Sequence, residues 1–152
     1  MELTPTSSGQ VASSDSQETT VGGGPGVGVL VIDDNDQFRM MMTELLRPLG
    51  FEVRTAGNPV KALELFTHEN DAIKLVFLDY YMPQLDGAKT FEWLRKLNPD
   101  VKVVICSGAD ELHLRQIQTQ HNIDGYLHKP FRIQEAVQLI RRFVQVPDPL
   151  TG

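Results

Sequence analysis

The stretch VGVLVIDD, residues 27–34, joins a short apolar run to two adjacent carboxylates. The β-branched residues between Val27 and Ile32 are typical of a strand that is buried on both faces of a parallel sheet. Asp33 and Asp34 follow at the position where this strand should end. We therefore predict a buried first strand with acidic groups at its carboxyl end.

Short apolar strands and amphipathic helices alternate along the rest of the chain. The later strands are predicted at Phe51–Thr55, Leu75–Leu78, Val101–Cys106 and Gly125–Leu127. Five strand–helix units in series imply a parallel five-stranded sheet with helices on both faces. Because crossovers are almost always right-handed, we predict a doubly wound α/β three-layer sandwich, flavodoxin-like, with strand order 2-1-3-4-5.

Apolar side chains at helical spacing predict the helices between these strands. Asn58-Pro59 is typical of an N-cap and first helical residue, the third helix should end near Asn98-Pro99, and a more polar fourth helix spans Asp110–Gln120. The residues expected to face inward are Phe38, Met41, Met42, Leu45, Leu46 and Leu49 in the first helix, Val60, Leu63 and Phe66 in the second, and Ile133, Ala136, Val137, Ile140, Phe143 and Val144 in the last.

The composition indicates one globular domain with polar ends. The chain has 152 residues, of which 41% are hydrophobic and 22% are charged, an ordinary balance for a soluble domain. Residues 1–26 are rich in Ser, Thr and Gly, so we predict a disordered tail there, a folded domain over 27–146 and a flexible end over 147–152. A single cysteine, Cys106, excludes an internal disulfide and fits a reducing compartment.

The charge pattern narrows the class of partner. The formal net charge is −6 and no basic patch is present, which argues against nucleic acid and against an anionic membrane surface. The sequence has no signal-peptide pattern and no apolar run near the ~18 residues that a membrane span requires. We expect a cytoplasmic protein with protein partners.

Polar residues that could bind a ligand or take part in a reaction stand at the ends of four predicted strands. Asp33 and Asp34 follow the first strand, Asp79 the third, Ser107 the fourth and Lys129 the fifth. Turn and cap chemistry could explain each of them singly, and we assign Asp36 or Asn35 to capping. Ligands of such sheets bind beyond the carboxyl ends of the strands, so the set together predicts one site.

Three carboxylates within a few ångströms repel one another, so the site predicts a bound cation. Carboxylate and carbonyl oxygens are the ligands that Mg²⁺ prefers, at about 2.0–2.1 Å. A metal and the Lys129 ammonium would neutralise an incoming phosphoryl group, and an aspartate can be the nucleophile that accepts it.

Four separate segments resemble the receiver domains of two-component response regulators, in particular single-domain chemotaxis-type receivers. These segments are VLVIDD (29–34), LDYYMPQLDG (78–87), VICSG (104–108) and GYLHKPF (125–131). The resemblance extends over about residues 27–146. It implies a Mg²⁺-dependent signalling switch rather than an enzyme, phosphorylated on Asp79 by a histidine kinase or a phosphotransfer protein.

The resemblance also implies a role for each matching position. Asp34 would bind Mg²⁺ directly, Asp33 through water, and Tyr81 through its backbone carbonyl, together with Asp79. Lys129, whose bond to Pro130 should be cis, would pair with the phosphoryl oxygens. Ser107 would hydrogen-bond the phosphoryl group, and Tyr126 would turn inward when Ser107 moves. Asp86-Gly87 would only shape the loop and start the third helix.

The expected output is binding to another protein. Only six residues follow Val146, so we expect the signal to pass through the face formed by the fourth helix, fifth strand and fifth helix, or by transfer of the phosphoryl group to a phosphotransfer histidine. The main alternative is a degenerate receiver that binds proteins independently of phosphorylation.

Two further alternatives share part of the pattern. Asp34-Asn35-Asp36 has the spacing of haloacid-dehalogenase-like phosphatases, which leaves Asp79 and Lys129 unexplained. A flavodoxin-like flavin protein would need a phosphate loop where Asp33 and Asp34 stand.

The spacing of the four histidines does not match that of metal ligands. We assign all four to the surface: His68, His113, His121 and His128.

Overall fold

The apolar runs form five parallel strands in the described part of the chain. They are β1 (Gly28–Ile32), β2 (Glu52–Ala56), β3 (Ile73–Asp79), β4 (Lys102–Ser107) and β5 (Gly125–His128). Their order in the sheet is β2-β1-β3-β4-β5, and every pair is parallel. The predicted doubly wound fold is confirmed, and the sheet order reverses next to β1, which lies between β2 and β3.

The computed structural model describes residues 27–82 and 85–144, apart from the side chains of residues 85 and 86. The predicted tail (1–26) and flexible end (147–152) lie outside this range, so both remain predictions. A two-residue antiparallel ladder, Tyr81–Met82 with Leu85–Asp86, lies in the loop after β3. The sequence pattern did not predict it.

Five α-helices follow the strands in the same described range: α1 (Asp36–Leu46), α2 (Pro59–Glu69), α3 (Gly87–Leu97), α4 (Glu111–His121) and α5 (Ile133–Ile140). The Asn58 side chain caps α2 by accepting the Lys61 backbone N–H at 2.8 Å, as predicted. Of the two residues considered for the α1 cap, Asn35 performs this role and accepts the Phe38 N–H at 3.0 Å. A short 3-10 turn, Arg47–Leu49, ends α1, and Gly50 closes it at φ 96°.

The hydrophobic core consists of two layers on opposite faces of the sheet. All five residues of β1 are buried. Leu30 and Ile32 belong to one layer, whereas Val29 and Val31 belong to the other, since successive side chains of a strand point to opposite faces. Because β1 is covered on both faces, its carboxyl end is held in one position, and Asp33 follows there.

Three residues expected to face inward are exposed instead. Val60 is 69% exposed because Pro59, Ala62 and Phe66 form the buried stripe of α2, which lies roughly 100–160° around the helix from Val60. Met41 lies at the edge of the α1 stripe and is 43% exposed. Ile133 is the first residue of α5, so its side chain points toward the helix N-terminus and away from the core-facing turns.

The last helix is also shorter than predicted. It ends at Ile140 rather than continuing through Phe143 and Val144. Both of these residues are nevertheless half-buried and pack against the core, so the apolar pattern was informative about burial and wrong about helix length. None of the described helices is long and apolar enough to cross a bilayer.

Gly87 allows α3 to begin very close to the loop that follows β3. A Cβ atom on Gly87 would lie 2.4 Å from the carbonyl oxygen of Tyr80 and 2.8 Å from its Cα atom. These are backbone atoms, which cannot move aside as a flexible side chain can. Gly108, in contrast, has open space around the position of a Cβ atom.

We predict that Gly87→Ala lowers the free energy of unfolding by about 1–3 kcal/mol, the usual range for an overpacked site. The matched variant Gly108→Ala should change it by less than about 0.5 kcal/mol, because the added methyl group meets nothing. Urea unfolding followed by far-UV circular dichroism measures both values. Equal stability of the two variants would contradict the steric argument.

Candidate functional site

The carboxyl ends of β1 and β3 bring three acidic side chains together. One carboxylate oxygen from each of Asp33, Asp34 and Asp79 lies within 4.8 Å of the others. Asp33 is buried, Asp79 is half-buried and Asp34 is exposed. The cluster lies where the strand order reverses, which is the usual ligand position in doubly wound sheets.

Backbone N–H groups of the following residues orient two of these carboxylates. Asp33 Oδ1 accepts the Asn35 N–H at 2.9 Å, and Asp79 Oδ1 accepts the Tyr81 N–H at 3.1 Å. In each case the acceptor and donor are two residues apart, a local turn that aspartate favours. Each bond engages one oxygen and leaves the second oxygen of the same carboxylate for other partners.

The pKa of Asp79 is raised above its ordinary value of 3.8, chiefly because burial disfavours its charged form. The Tyr81 N–H opposes this shift, as does the positive charge of Lys129. The negative charges of Asp33 and Asp34 add to it. The carboxyl group of Asp79 is therefore in a site that resists one more negative charge and favours a bound cation.

Lys129 enters the cluster from the loop after β5. Its Nζ atom donates to Asp33 Oδ2 at 2.6 Å, and it lies 4.1 Å from the centroid of the Phe38 ring. Its backbone N–H donates to the Ser107 carbonyl at 2.7 Å, which ties this loop to the end of β4. The Lys129-Pro130 bond is cis, as predicted.

The donor set of the cluster fits Mg²⁺. It consists of carboxylate oxygens, which a hard divalent cation prefers, and it contains no sulfur or imidazole ligand that would favour zinc. Oxygens bound to one Mg²⁺ at 2.0–2.1 Å lie at most about 4.2 Å apart. The present separations, all within 4.8 Å, therefore need only small side-chain rotations.

Ser107 and Tyr126, the two predicted switch residues, lie on neighbouring strands and contact different partners. Ser107 is buried, and its Oγ accepts the Ala109 N–H at 3.1 Å. Tyr126 is half-buried, and its hydroxyl donates to Glu111 Oε2 at 3.4 Å. Tyr126 is thus linked to α4 rather than to Ser107.

Aromatic contacts connect the loop after β3 to α4. The ring of Tyr81, 51% exposed, stacks on His113 with centroids 6.0 Å apart and an interplanar angle of 21°. The Tyr80 hydroxyl lies 3.3 Å from His121 Nε2. The surface assignment of His121 was therefore incomplete, because this residue is half-buried against Tyr80 and Phe91.

Tyr81 reaches toward the N-terminus of α4. Its pKa is raised above 10.0, first by partial burial and then by the negative charge of Asp110, the N-cap of α4. The side chain therefore extends from the residue next to the acidic cluster toward the first turn of α4.

The sequence interpretation missed three contributors to the site. Arg39 donates to the backbone carbonyl of Asp33 at 2.6 Å and pairs with Asp36; the (i, i+3) spacing of this pair was a visible signal. Phe38 was assigned only to the core stripe. Nothing in the sequence placed His113 beside Tyr81. Asp36 itself is exposed and is not one of the three clustered carboxylates.

Comparisons with known proteins agree with this geometry. A family model described as the response regulator receiver domain matches residues 29–141. The chain is 30% identical over 121 residues to the sensor kinase CckA of Brucella abortus (strain 2308), which covers 79% of this chain and 13% of CckA. It is 30% identical over 126 residues to the response regulator MprA of Mycobacterium sp. (strain KMS), covering 83% of this chain and 54% of MprA.

A solved structure supports the same relationship. The response regulator protein TrrA of Thermotoga maritima, in complex with Mg(2+)-BeF, has a TM-score of 0.68 and 29% sequence identity, and the match covers 77% of this chain and 98% of TrrA. The chain thus spans about half of MprA and a smaller part of CckA, but nearly all of the TrrA chain. The matched residues include the acidic cluster and Lys129. The phosphatase and flavin-protein alternatives are therefore wrong. This chain belongs to the response regulator receiver domain family.

Proposed function

We propose that this chain acts in a phosphorelay, in which Asp79 accepts a phosphoryl group from a histidine kinase in a Mg²⁺-dependent reaction. The observation that carries the proposal is the cluster of Asp33, Asp34 and Asp79 within 4.8 Å, with the Lys129 ammonium 2.6 Å from Asp33. Receiver domains are signalling switches rather than enzymes with a separate substrate. The resemblance to a segment of a sensor kinase supports a kinase as the donor.

Asp34 and Asp79 would hold the metal directly, Asp33 through water, and Tyr81 through its backbone carbonyl. When bound, Mg²⁺ supplies positive charge that neutralises both the cluster and the oxygens of a phosphoryl group. Support comes from the oxygen-only donor set and from the raised pKa of Asp79, which is due first to burial and then to the negative charges of Asp33 and Asp34.

The ionised carboxylate of Asp79 is the nucleophile in this proposal. One of its oxygens attacks phosphorus, the bond from phosphorus to the donor histidine nitrogen breaks, and the electron pair leaves with that nitrogen. Lys129 pairs with the phosphoryl oxygens. The Ser107 hydroxyl is available to donate, since its hydrogen bond to Ala109 uses only an oxygen lone pair.

The phosphoryl group would then change the face formed by α4, β5 and α5. Movement of Ser107 toward the phosphoryl group would let Tyr126 turn inward, and the Tyr126–Glu111 hydrogen bond of 3.4 Å is long enough to be weak. A groove of about 560 Å³ on this face is lined by residues that include Glu111, Tyr126 and Leu139. This groove is where we place the downstream protein.

A protein partner is also favoured by charge. The net charge of −6 opposes binding to nucleic acid or to an anionic membrane surface. A cytoplasmic location, as predicted from the sequence, is part of the same proposal. The alternative, a receiver that binds its partner independently of phosphorylation, has the same face available and differs only in leaving Asp79 unmodified.

We expect incubation with acetyl phosphate and Mg²⁺ to add the mass of one phosphoryl group to the wild type and nothing to Asp79→Asn. Intact mass spectrometry measures the gain. Asp71→Asn, a matched change at an exposed acid outside the cluster, should be phosphorylated like the wild type. A folded wild type that gains no mass would support the phosphorylation-independent alternative.

A second prediction concerns stability and pH without metal. The folded state binds a proton on Asp79 more tightly than the unfolded chain does, because its pKa is raised. The contribution of Asp79 to stability therefore falls as the pH rises from about 3.8 through the folded-state pKa. In EDTA at pH 7, Asp79→Asn should have a higher unfolding free energy than the wild type, and this gain should shrink toward pH 4.

Urea unfolding at pH 4, 5.5 and 7 tests this sign. Asp71→Asn serves again as the control for the loss of one negative charge. If the unfolding free energy of Asp79→Asn at pH 7 is lower than that of the wild type and of Asp71→Asn, then ionised Asp79 does not destabilise the folded state, and the prediction is wrong.

A third prediction is that Tyr81 slows loss of the phosphoryl group. Its ring stacks on His113 and in this proposal would restrict access of water to the phosphoryl group, so Tyr81→Asn should increase the rate of dephosphorylation by about three- to tenfold. Tyr81→Phe keeps the ring and should remain near the wild-type rate. Decay of the phosphoprotein is followed by intact mass after removal of acetyl phosphate, and equal rates for wild type and Tyr81→Asn would end the shielding hypothesis.

A further inference from the structure

The ammonium group of Lys129 has two neighbours of different chemical character. Asp33 Oδ2 accepts from Nζ at 2.6 Å, and the ring of Phe38 has its centroid 4.1 Å from the same atom. A cation within about 6 Å of an aromatic centroid is attracted by the ring quadrupole, more strongly where water is excluded. The Lys129 side chain is only 26% exposed and the Asp33 side chain is 1% exposed, so the ion pair between them is largely shielded from water.

Two elements hold the Phe38 ring against the ammonium. Phe38 is in the first turn of α1, where its backbone N–H bonds to the N-cap Asn35. Its ring also meets Phe131 in an edge contact, with centroids 6.0 Å apart and an interplanar angle of 83°. Because Phe131 lies two residues after Lys129, the same loop carries both the ammonium and the ring that braces Phe38.

The two attractions respond differently to a bound metal. A divalent cation near Asp33 would neutralise its carboxylate and weaken the attraction of Asp33 for Lys129. The Phe38 ring is not a metal ligand, so its attraction for the ammonium would persist. Lys129 would then keep one fixed neighbour at the moment when its bond to Asp33 weakens.

We propose that Phe38 is a positioning residue for Lys129, which holds the ammonium beside the acidic cluster in the metal-loaded state, ready for the phosphoryl oxygens. This inference rests on the proposed function, since it gives Phe38 a role in phosphorylation of Asp79. Phe38 is half-buried and also packs against the core, so a change in its size alone could alter the site. The test must therefore separate the electronic character of the ring from its volume.

The first experiment detects the contact without metal or phosphodonor. In EDTA, the ε-methylene protons of Lys129, assigned by comparison with Lys129→Arg, should resonate upfield of those of other lysines, because the Nζ atom bonded to this methylene lies 4.1 Å from the Phe38 ring centroid. Phe38→Leu should move them back toward the other lysines, whereas Phe38→Tyr should leave them upfield. A Lys129 signal that does not respond to Phe38→Leu would overturn the proposal whatever the protein's activity.

The second experiment changes the ring electronically at nearly constant size. Fluorination withdraws charge from the ring face, so 3,4,5-trifluorophenylalanine at position 38 alone should slow phosphorylation by acetyl phosphate and Mg²⁺ by about three- to tenfold at subsaturating donor. Phe38→Tyr should stay within about twofold of wild type. The same fluorinated residue at Phe66, fully buried in the other core layer, is the matched control and should not alter the rate.

Unfolding midpoints of every variant accompany the rates, so that a loss of stability is recognised. Wild-type phosphorylation with an unchanged or faster rate in the fluorinated variant would overturn the role of Phe38 and leave the proposed function standing. A wild type that is not phosphorylated on Asp79 would overturn both. Slowing at position 38 but not at 66, with unfolding midpoints unchanged, is the result that the proposal requires.

Discussion

Mutual repulsion of the three carboxylates at one end of the sheet dominates the electrostatics of the site. Two unit charges 4.8 Å apart, the outer limit for this cluster, repel by roughly 3 kcal/mol at an effective dielectric constant of about 20. A domain that is marginally stable cannot carry several such pairs without compensation. Here the compensation consists of the Lys129 ammonium and two backbone N–H groups. It is incomplete, because the charges of Asp33 and Asp34 still add to the rise that burial causes in the pKa of Asp79.

Incomplete compensation makes the site responsive to ligands. A cluster that its own protein neutralised fully would gain little from Mg²⁺, whereas this one would gain the relief of its repulsion on binding the ion. A ligand shifts a conformational equilibrium only by its differential affinity for the two states. The unrelieved repulsion therefore favours binding of a cation, and the cation-bound state would in turn tolerate the negative charge of a phosphoryl group, as a switch requires.

Contacts around the cluster suggest how a local change could spread. Lys129 is bonded through its backbone to the end of β4 and through its side chain to Asp33 after β1. Tyr80 and Tyr81 contact two histidines on α4, and Tyr126 contacts Glu111 on the same helix. Besides Leu114 and Ile117, which are buried in the core, α4 is thus linked to the loop after β3 and to β5 by partly exposed side-chain contacts. Such an element can shift at less cost than one that is buried on every side.

The fold class, the strand order and the polar groups at the strand ends could all be predicted from the amino-acid pattern. Alternating apolar runs identify strands, and parallel strands place all of their carboxyl ends at one edge, so the convergence of Asp33, Asp34, Asp79 and Lys129 followed from the pattern. The helix cap at Asn58 was also predictable, because Asn before Pro at a helix start is a local sequence signal. Local rules failed where a helix has more than one apolar stripe available, as with Val60, and where a helix ends early, as α5 does at Ile140.

The side chains that surround the site from other elements could be identified only in the folded structure. Phe38 over Lys129, His113 against Tyr81 and Arg39 on the Asp33 carbonyl depend on how α1 and α4 pack on the sheet. The apolar pattern of the sequence does not predict which side chains of separate elements meet. A helix can rotate or slide by one residue on the sheet while the apolar pattern in its sequence stays the same. Strand ends are set by backbone topology, which the pattern of residues specifies. Contacts between side chains of different elements are set by packing, and that required the folded structure.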